Sequence, residues 1–506
     1  MILSAGSRFL RRLPSYNRAM MAKYECLGSG FARPLRPSRF LLRSGVAGAM
    51  RLLLLGLALQ LASQITLAGV QPRGNPPGSA AKQTPARKRP RHRPLRVPRS
   101  TRPMPPLKEA PFASQVPLLP VIEKAKSMLE KETVRYWGGS ARQAAKREIK
   151  LALADFKTGE IRIISGMETN GKLSLDDPSV QFELQWWNGF NSSISILHPA
   201  SHGVVALLYA LPKERQRSYS QDAIIYTPFS SALLQTELVE AGRHYLIERI
   251  VQARRELKQV PSLALPGLSV GDSPVLTNED YFDVILSEHL DPGRFHAIVG
   301  AATDLSTEQE RQFMLLAARI LAIIGANQED AFRFTASYAG AQGIAQFTRM
   351  GMQVVWNDYP AAGLPRNLAE AATVHLNAIK AQICLMDHDL SELVRAHAPL
   401  LGSGYEKYAA AAAYNGGLRR VRYGLKHFGT EWLRPLIRLA ELKAQRRPAP
   451  QQRQEAQWLS VNRNHETFVY LNKLYLLDKS PLRTAWNQTQ ILPLVLQTLL
   501  FSGAMN

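Results

Sequence analysis

Residues 306–326 read STEQERQFMLLAARILAIIGA. Phe313, Leu316, Ile320 and Ile324 fall on one face of a helix, and further apolar residues surround them. A helix of this kind, apolar well beyond a single stripe, belongs at the centre of a helical core. The pattern continues on both sides. Downstream, LAEAATVHLNAIKAQICLMDHDLSELV (368–394) and the alanine-rich stretch at Ala409–Ala413 repeat the helical period. Upstream, Thr277 followed by Asp280 forms an N-cap pair before YFDVILSEHL (281–290), the pairing that satisfies the first free amides of a helix.

The preceding part has a different texture. VIEKAKSMLEKETVRYW (121–137) and ARQAAKREIKLALADF (141–156) carry apolar residues at three- and four-residue spacing and are read as helical. IRIISG (161–166), QFELQWW (181–187) and SSISILHP (192–199) read as strands, and GVVALLYAL (203–211) as a buried strand or a short helix. Helix returns in ALLQTELVEAGRHYLIERIVQARREL (232–257). Residues 262–276, with Pro266, Gly267, Gly271 and Pro274, read as a connection. The expected fold class is α+β: an α+β accessory domain over 108–265, a mainly helical domain over 277–480 and a tail over 481–506.

Composition bounds the rest. With 506 residues, 45% hydrophobic and 20% charged, the chain as a whole is neither disordered nor a multi-span membrane protein. Two cysteines, Cys26 and Cys384, exclude a disulfide scaffold and a cysteine zinc site. The net charge of +23 is placed unevenly. Residues 1–107 hold 20 Lys/Arg against the single acid Glu25, whereas residues 108–506 hold 43 against 39 acids. The folded part is nearly neutral, so the basic pI does not point to nucleic acid.

Met50-Arg51, the apolar run LLLLGLALQLA (52–62) and the small residues around Ala68 have the layout of a secretory signal peptide over 50–69. Residues 1–49 then read as an over-extended start. Being Arg-rich and acid-poor, they also fit a mitochondrial address or a signal anchor. Residues 70–107 form a basic linker, with ten prolines from position 71 on. Such a segment is a stiff extended spacer, with attraction to anionic envelope polymers as its competing role. The expected localisation is the periplasm, and residues 71–265 are the candidate surface for an envelope or cell-wall protein partner.

Four stretches carry chemistry: QEDAF (328–332), SYAGAQGIAQ (337–346), AAYNGG (412–417) and ETFVYL (466–471). Glu329 closes a strongly apolar helix, where desolvation raises a carboxyl pKa and suits it to general acid work. The Gly-Ala-Gln-Gly turn lets backbone approach a ligand closely, and Gln346 supplies an amide. Tyr414-Asn415 lies where an alanine-rich helix ends at two glycines, an aromatic and an amide that suit a sugar bearing an N-acetyl group. Trp186-Trp187 read as core strand aromatics, with sugar stacking as the competing role. His375, Asp387 and His388 do not make a metal set, and no Walker loop or dinucleotide fingerprint occurs, so no metal or cofactor is expected.

In that order and spacing the four stretches resemble the catalytic domain of the soluble lytic transglycosylases, which is related in fold to goose-type lysozyme. The resemblance covers roughly residues 277–480. It implies a lysozyme-like domain acting on peptidoglycan glycan strands, a lyase that cleaves the β-1,4 bond between N-acetylmuramic acid and N-acetylglucosamine and forms a 1,6-anhydro sugar. It implies Glu329 as the acid/base, with Ser337, Gln346, Tyr414, Asn415, Glu466 and Tyr470 along the substrate cleft. Asp330 stands where the family has Ser and Ala345 where Met is common. Glu288, in SEHLDP, is therefore the reserve acid. A lysozyme-like hydrolase and a catalytically inactive wall-binding scaffold are the alternatives.

Overall fold

The computed structural model describes residues 110–138, 146–169, 171–186, 192–211, 222–300, 305–337 and 340–480. The expected over-extended start, signal peptide and Pro-rich linker, Trp187 and the expected tail over 481–506 lie outside the described residues. The fold is α+β, a sheet region followed by a helical region.

Helix α1 (Leu118–Leu129) is followed by β1 (Tyr136–Trp137), β2 (Lys146–Asp155), β3 (Ile161–Thr169), β4 (Lys172–Leu175), β5 (Gln181–Trp186), β6 (Ser193–His198), β7 (His202–Ala210) and β8 (Ala223–Tyr226). The main sheet has the order β4-β3-β2-β7-β8, with β1 added at the start of β2, and β5 and β6 form a separate hairpin. Every pairing between named strands is antiparallel. The helical reading of 141–156 is corrected here: Lys146–Asp155 is the central strand β2. Ile149, Leu151 and Leu153 alternate with Glu148, Lys150 and Ala152, and pairing on both edges, with Leu151 opposite Ile164 and Leu207, decides for the period of two. The stretch 203–211, open between strand and helix, is strand β7 as far as Ala210 for the same reason.

Both faces of this sheet are covered. Ala152, Ala154, Val205, Ala206 and Leu208 join the main core with α1 residues Leu118, Ile122 and Leu129. Leu151, Leu153, Ile164, Val204 and Leu207 form a second cluster under Leu184, Ile194 and Ile196 of the β5–β6 hairpin.

The helical region contains α2 (Thr236–Glu256), α3 (Asn278–His289), α4 (Pro292–Val299), α5 (Thr307–Asn327), α6 (Arg349–Asp358), α7 (Leu368–Thr373), α8 (His375–Ala396), α9 (Glu406–Gly416), α10 (Leu418–Phe428), α11 (Pro435–Ala444), α12 (Pro450–Asn462) and α13 (Glu466–Lys479). Helix α3 starts with the expected capping box between Thr277 and Asp280. The pattern over 368–394 divides into α7 and α8 at Val374. Helix α5 is buried over most of its length.

Helix α2, placed by sequence with the accessory domain, caps α1 through Glu237, which accepts from Leu118 N and Leu119 N, but packs chiefly against α5 and α8. A Cβ added at Gly242 would lie 1.9 Å from the Leu321 carbonyl oxygen, and one at Gly325 2.0 Å from that of Leu238. The two helices therefore cross backbone to backbone. Asn327, at the end of α5, ties this pair to the sheet: its Oδ1 accepts from Thr227 N at 2.8 Å and its Nδ2 donates to Thr227 O at 3.0 Å. One core thus runs from α1 through α13.

A methyl group at either glycine forces the helices apart. Gly325→Ala is expected to destabilise the protein by about 3 kcal/mol, the upper range for overpacking. Chemical denaturation followed by circular dichroism checks this, and an unchanged midpoint would contradict the crossing.

Candidate active site

Helix α3 ends at Glu288 and His289, and three other elements hold that end in place. From α13, Lys473 Nζ donates to Ser287 O at 3.0 Å and Leu290 O at 2.6 Å, so a cation caps the carbonyl end of α3. From the loop after α5, Phe332 stacks on His289, with ring centroids 3.7 Å apart and planes 14° apart. From the Gly-Ala-Gln-Gly turn, Ile344 O accepts from His289 Nε2 at 2.7 Å. Burial pushes the imidazole down to about 4, so His289 is neutral and its proton sits on Nε2.

Glu288 is the chemically distinctive member. Burial pushes its carboxyl up to about 7, against the opposing influence of the Tyr470 hydrogen bond and the Lys473 charge. The Glu466 charge adds to the rise. Oε1 of Glu288 is buried without a hydrogen-bond partner. Tyr470, buried in α13, also reaches Val284 O at 3.3 Å. Lys473 is buried in turn, and its ammonium is pushed down to about 8.

Of the residues expected on the cleft, Tyr414, Glu466 and Tyr470 come together around Glu288. Tyr414 donates its hydroxyl proton to Ala345 O and meets Phe347 edge to face at 5.8 Å, which fastens the end of α9 to the turn. Burial and the Glu288 charge push its phenol well above the usual range. Asn415, next to it, has a buried Oδ1 with no hydrogen-bond partner. Glu466 is exposed in the first turn of α13.

Gln346 has a positive φ of 50°, and its Nε2 is used within the turn, donating to Gly343 O at 2.7 Å and Thr335 Oγ1 at 3.4 Å. Gly343 holds the turn against α7: its φ is +71°, and a Cβ there would lie 1.8 Å from Ala372 O. Ser337 is exposed and closes a local turn, its Oγ accepting from Ala341 N at 3.0 Å.

Glu329 lies apart from this group. It sits in the 3-10 turn Gln328–Asp330 after α5, its side chain is 52% exposed, and its Oε1 is 3.6 Å from Arg249 Nε. The side chain is not enclosed as expected of an acid at the end of an apolar helix, because Gln328, at φ 45°, turns the chain out of the helix. The neighbours of Glu329 include Arg249 and Tyr245 of α2 and His375 of α8.

Beside Glu288 is a cavity of about 440 Å³ between the sheet and the helices. Gln185, Ser192 and Phe229 line it from the β side, and Glu288, Asp291 and Arg319 from the helical side. Asp291, the other carboxylate on the wall, caps α4 by accepting from Arg294 N at 2.7 Å. Sequence reasoning missed His289, Phe332 and Arg319 as site residues. The legible signal was Arg319, a lone cation inside the apolar run MLLAARILAII. Among the described residues no group of three His, Cys, Asp or Glu side chains is placed to hold a metal.

Comparison with protein-family models, with curated proteins and with solved structures returned no match for this chain.

A carboxyl raised from 4.5 to about 7 in the folded state weakens folding as pH rises. Below 4.5 both states hold the proton; between the two values only the folded state does, so stability falls through that window and the loss is complete above about 7. Glu288→Gln removes the penalty. The variant is expected to gain on the order of 2 kcal/mol over wild type between about pH 5 and pH 8. Urea denaturation at both pH values measures it, and a pH-independent difference would refute the desolvation of Glu288.

Proposed function

We propose that the protein is a peptidoglycan lytic transglycosylase whose acid/base is Glu288 rather than Glu329. One observation carries the reading: the carboxyl group with the raised pKa lines the cavity and has Tyr470, Glu466, Tyr414 and the Gly-Ala-Gln-Gly turn around it. These are the side chains that the resemblance associates with a transglycosylase cleft. A carboxyl with a pKa near 7 is still substantially protonated at neutral pH, as a general acid must be.

In this mechanism Glu288 gives its proton to the glycosidic oxygen as the C1–O bond breaks. The N-acetyl group of the substrate stabilises the cationic C1, the substrate-assisted exception to the two-carboxylate scheme. Glu288, now ionised, takes the proton of the C6 hydroxyl, and that oxygen closes on C1 to form the 1,6-anhydro ring. Tyr470 holds the carboxyl, and the neutral His289 and the cationic Lys473 fix the helix end that carries it. Asp291 is committed to capping α4, which favours this route over one needing a second free carboxylate.

Digestion of purified peptidoglycan by the full chain, with products read by mass spectrometry, tests the assignment. Products ending in 1,6-anhydro-N-acetylmuramic acid are expected. Glu288→Gln should slow their formation about 10³-fold, whereas Glu329→Gln should leave the rate essentially unchanged. The wild-type rate should fall as pH rises above about 7, because the acid form is depleted there. Reducing ends would identify a hydrolase, and binding to sacculi without products a scaffold. Loss of activity in Glu329→Gln alone would return the acid to that position.

A further inference from the structure

The cavity beside Glu288 carries a guanidinium on its helical wall. Arg319, on α5, lies with its guanidinium carbon 4.3 Å from the centre of the Phe229 ring. Burial pushes its pKa down to about 10, and the nearby Arg294 adds to the fall. The ring covers one face of the guanidinium but accepts none of its five N–H groups conventionally. Among the described residues no hydrogen bond or ion pair reaches those groups. The acid whose charge reaches Arg319 is Asp291, and one of its oxygens is engaged by the backbone of α4.

Partly buried on the cavity wall, the guanidinium presents free donors to a ligand, and its planar fork matches the two oxygens of a carboxylate. Phe229 fixes the plane of that fork, and Gln185 and Ser192 stand on the opposite, β-sheet wall. We propose that Arg319, with Arg294 beside it, is a subsite for a carboxylate group of the bound glycan strand, and that the sheet region closes this subsite over the substrate. The inference rests on the polysaccharide reading of the Glu288 cavity and adds a chemical class to it: an acidic substituent on the sugar, not the sugar ring alone. Two sources carry that chemistry on peptidoglycan, the lactyl carboxylate of a stripped strand and the carboxylates of a stem peptide.

Equilibrium binding by the full chain tests this, in a Glu288→Gln background so that probes are not consumed. Three probes are compared: chito-oligosaccharides, which carry no carboxylate; peptide-stripped glycan strands, which carry the lactyl carboxylate; and strands with intact stem peptides. Adding Arg319→Met is expected to weaken binding of at least one carboxylate-bearing probe about tenfold, the value of one charge-assisted pair, and to leave chito-oligosaccharide binding unchanged. Loss confined to stripped strands assigns the lactyl carboxylate, which is tied up as an amide wherever a stem peptide is attached. Loss confined to stemmed strands assigns the peptide carboxylates, and loss on both means that the subsite takes either group. Arg319→Gln, which keeps length and donors but not charge, serves as the second variant should the methionine protein fail to fold. Equal affinity of parent and Arg319 variants for all three probes overturns the subsite. Equal weakening on all three overturns it as well, by making Arg319 structural. Failure of the parent to bind any glycan overturns the polysaccharide reading itself, a result that the Arg319 variants cannot produce.

Discussion

A carboxyl group at the carbonyl end of a helix meets electrostatic opposition from two sides. The helix terminus carries partial negative charge, and enclosure removes the water that would stabilise an anion. Glu288 is in this position, and the arrangement around it answers the problem without cancelling it. Lys473 binds two carbonyls of the same helix end, so it neutralises the terminus more directly than the carboxyl. Tyr470 touches the carboxyl but leaves Oε1 unpartnered. The net effect is a group held close to the balance between its two protonation states. Acid/base exchange then requires little reorganisation of the protein, because His289, Phe332 and Ile344 fix the position of the helix end whichever state the carboxyl is in.

The fold was largely legible where one physical signal dominated. Thr277 and Asp280 announced the start of α3, and the apolar faces of Phe313, Leu316, Ile320 and Ile324 announced α5 as central. The strands at 161–166, 181–186 and 193–198 showed themselves by alternation and β-branched residues. Residues 146–155 misled because Ile149, Leu151 and Leu153 are also compatible with a helical spacing when flanked by alanines. Only the two neighbouring strands, which are remote in sequence, decide between the periods. The placement of α2 was hidden for a related reason: its contact with α5 is made through Gly242 and Gly325, residues with no side chain to advertise an interface.

The candidate site was legible in its parts but not in its assembly. The motifs at 337–346, 412–417 and 466–471 identified the turn, Tyr414 and Tyr470 that meet at one place. The acid is harder to read, because Glu329 adjoins the turn in sequence whereas Glu288 adjoins it in space. Helices α4 and α5 lie between Glu288 and the turn along the chain, and His289 closes that distance by a single hydrogen bond to Ile344 O. Chain order favours Glu329, and no local pattern reveals that Gln328 turns the chain out of the helix just before it.

The backbone-to-backbone crossing of α2 and α5 has a consequence for how this chain can be divided or changed. A helix that follows the sheet in sequence is a structural member of the region that follows it, and Asn327 pins the same helix pair back to the strand end at Thr227. Sheet and helices are therefore not beads that exchange independently. A fragment beginning after residue 265 would leave α5 with an apolar groove where its partner had been, and a grafted sheet domain would have to bring its own version of α2. Recombination in this protein is constrained to junctions outside the interlocked pair, so the two regions are expected to change in concert rather than by swapping modules.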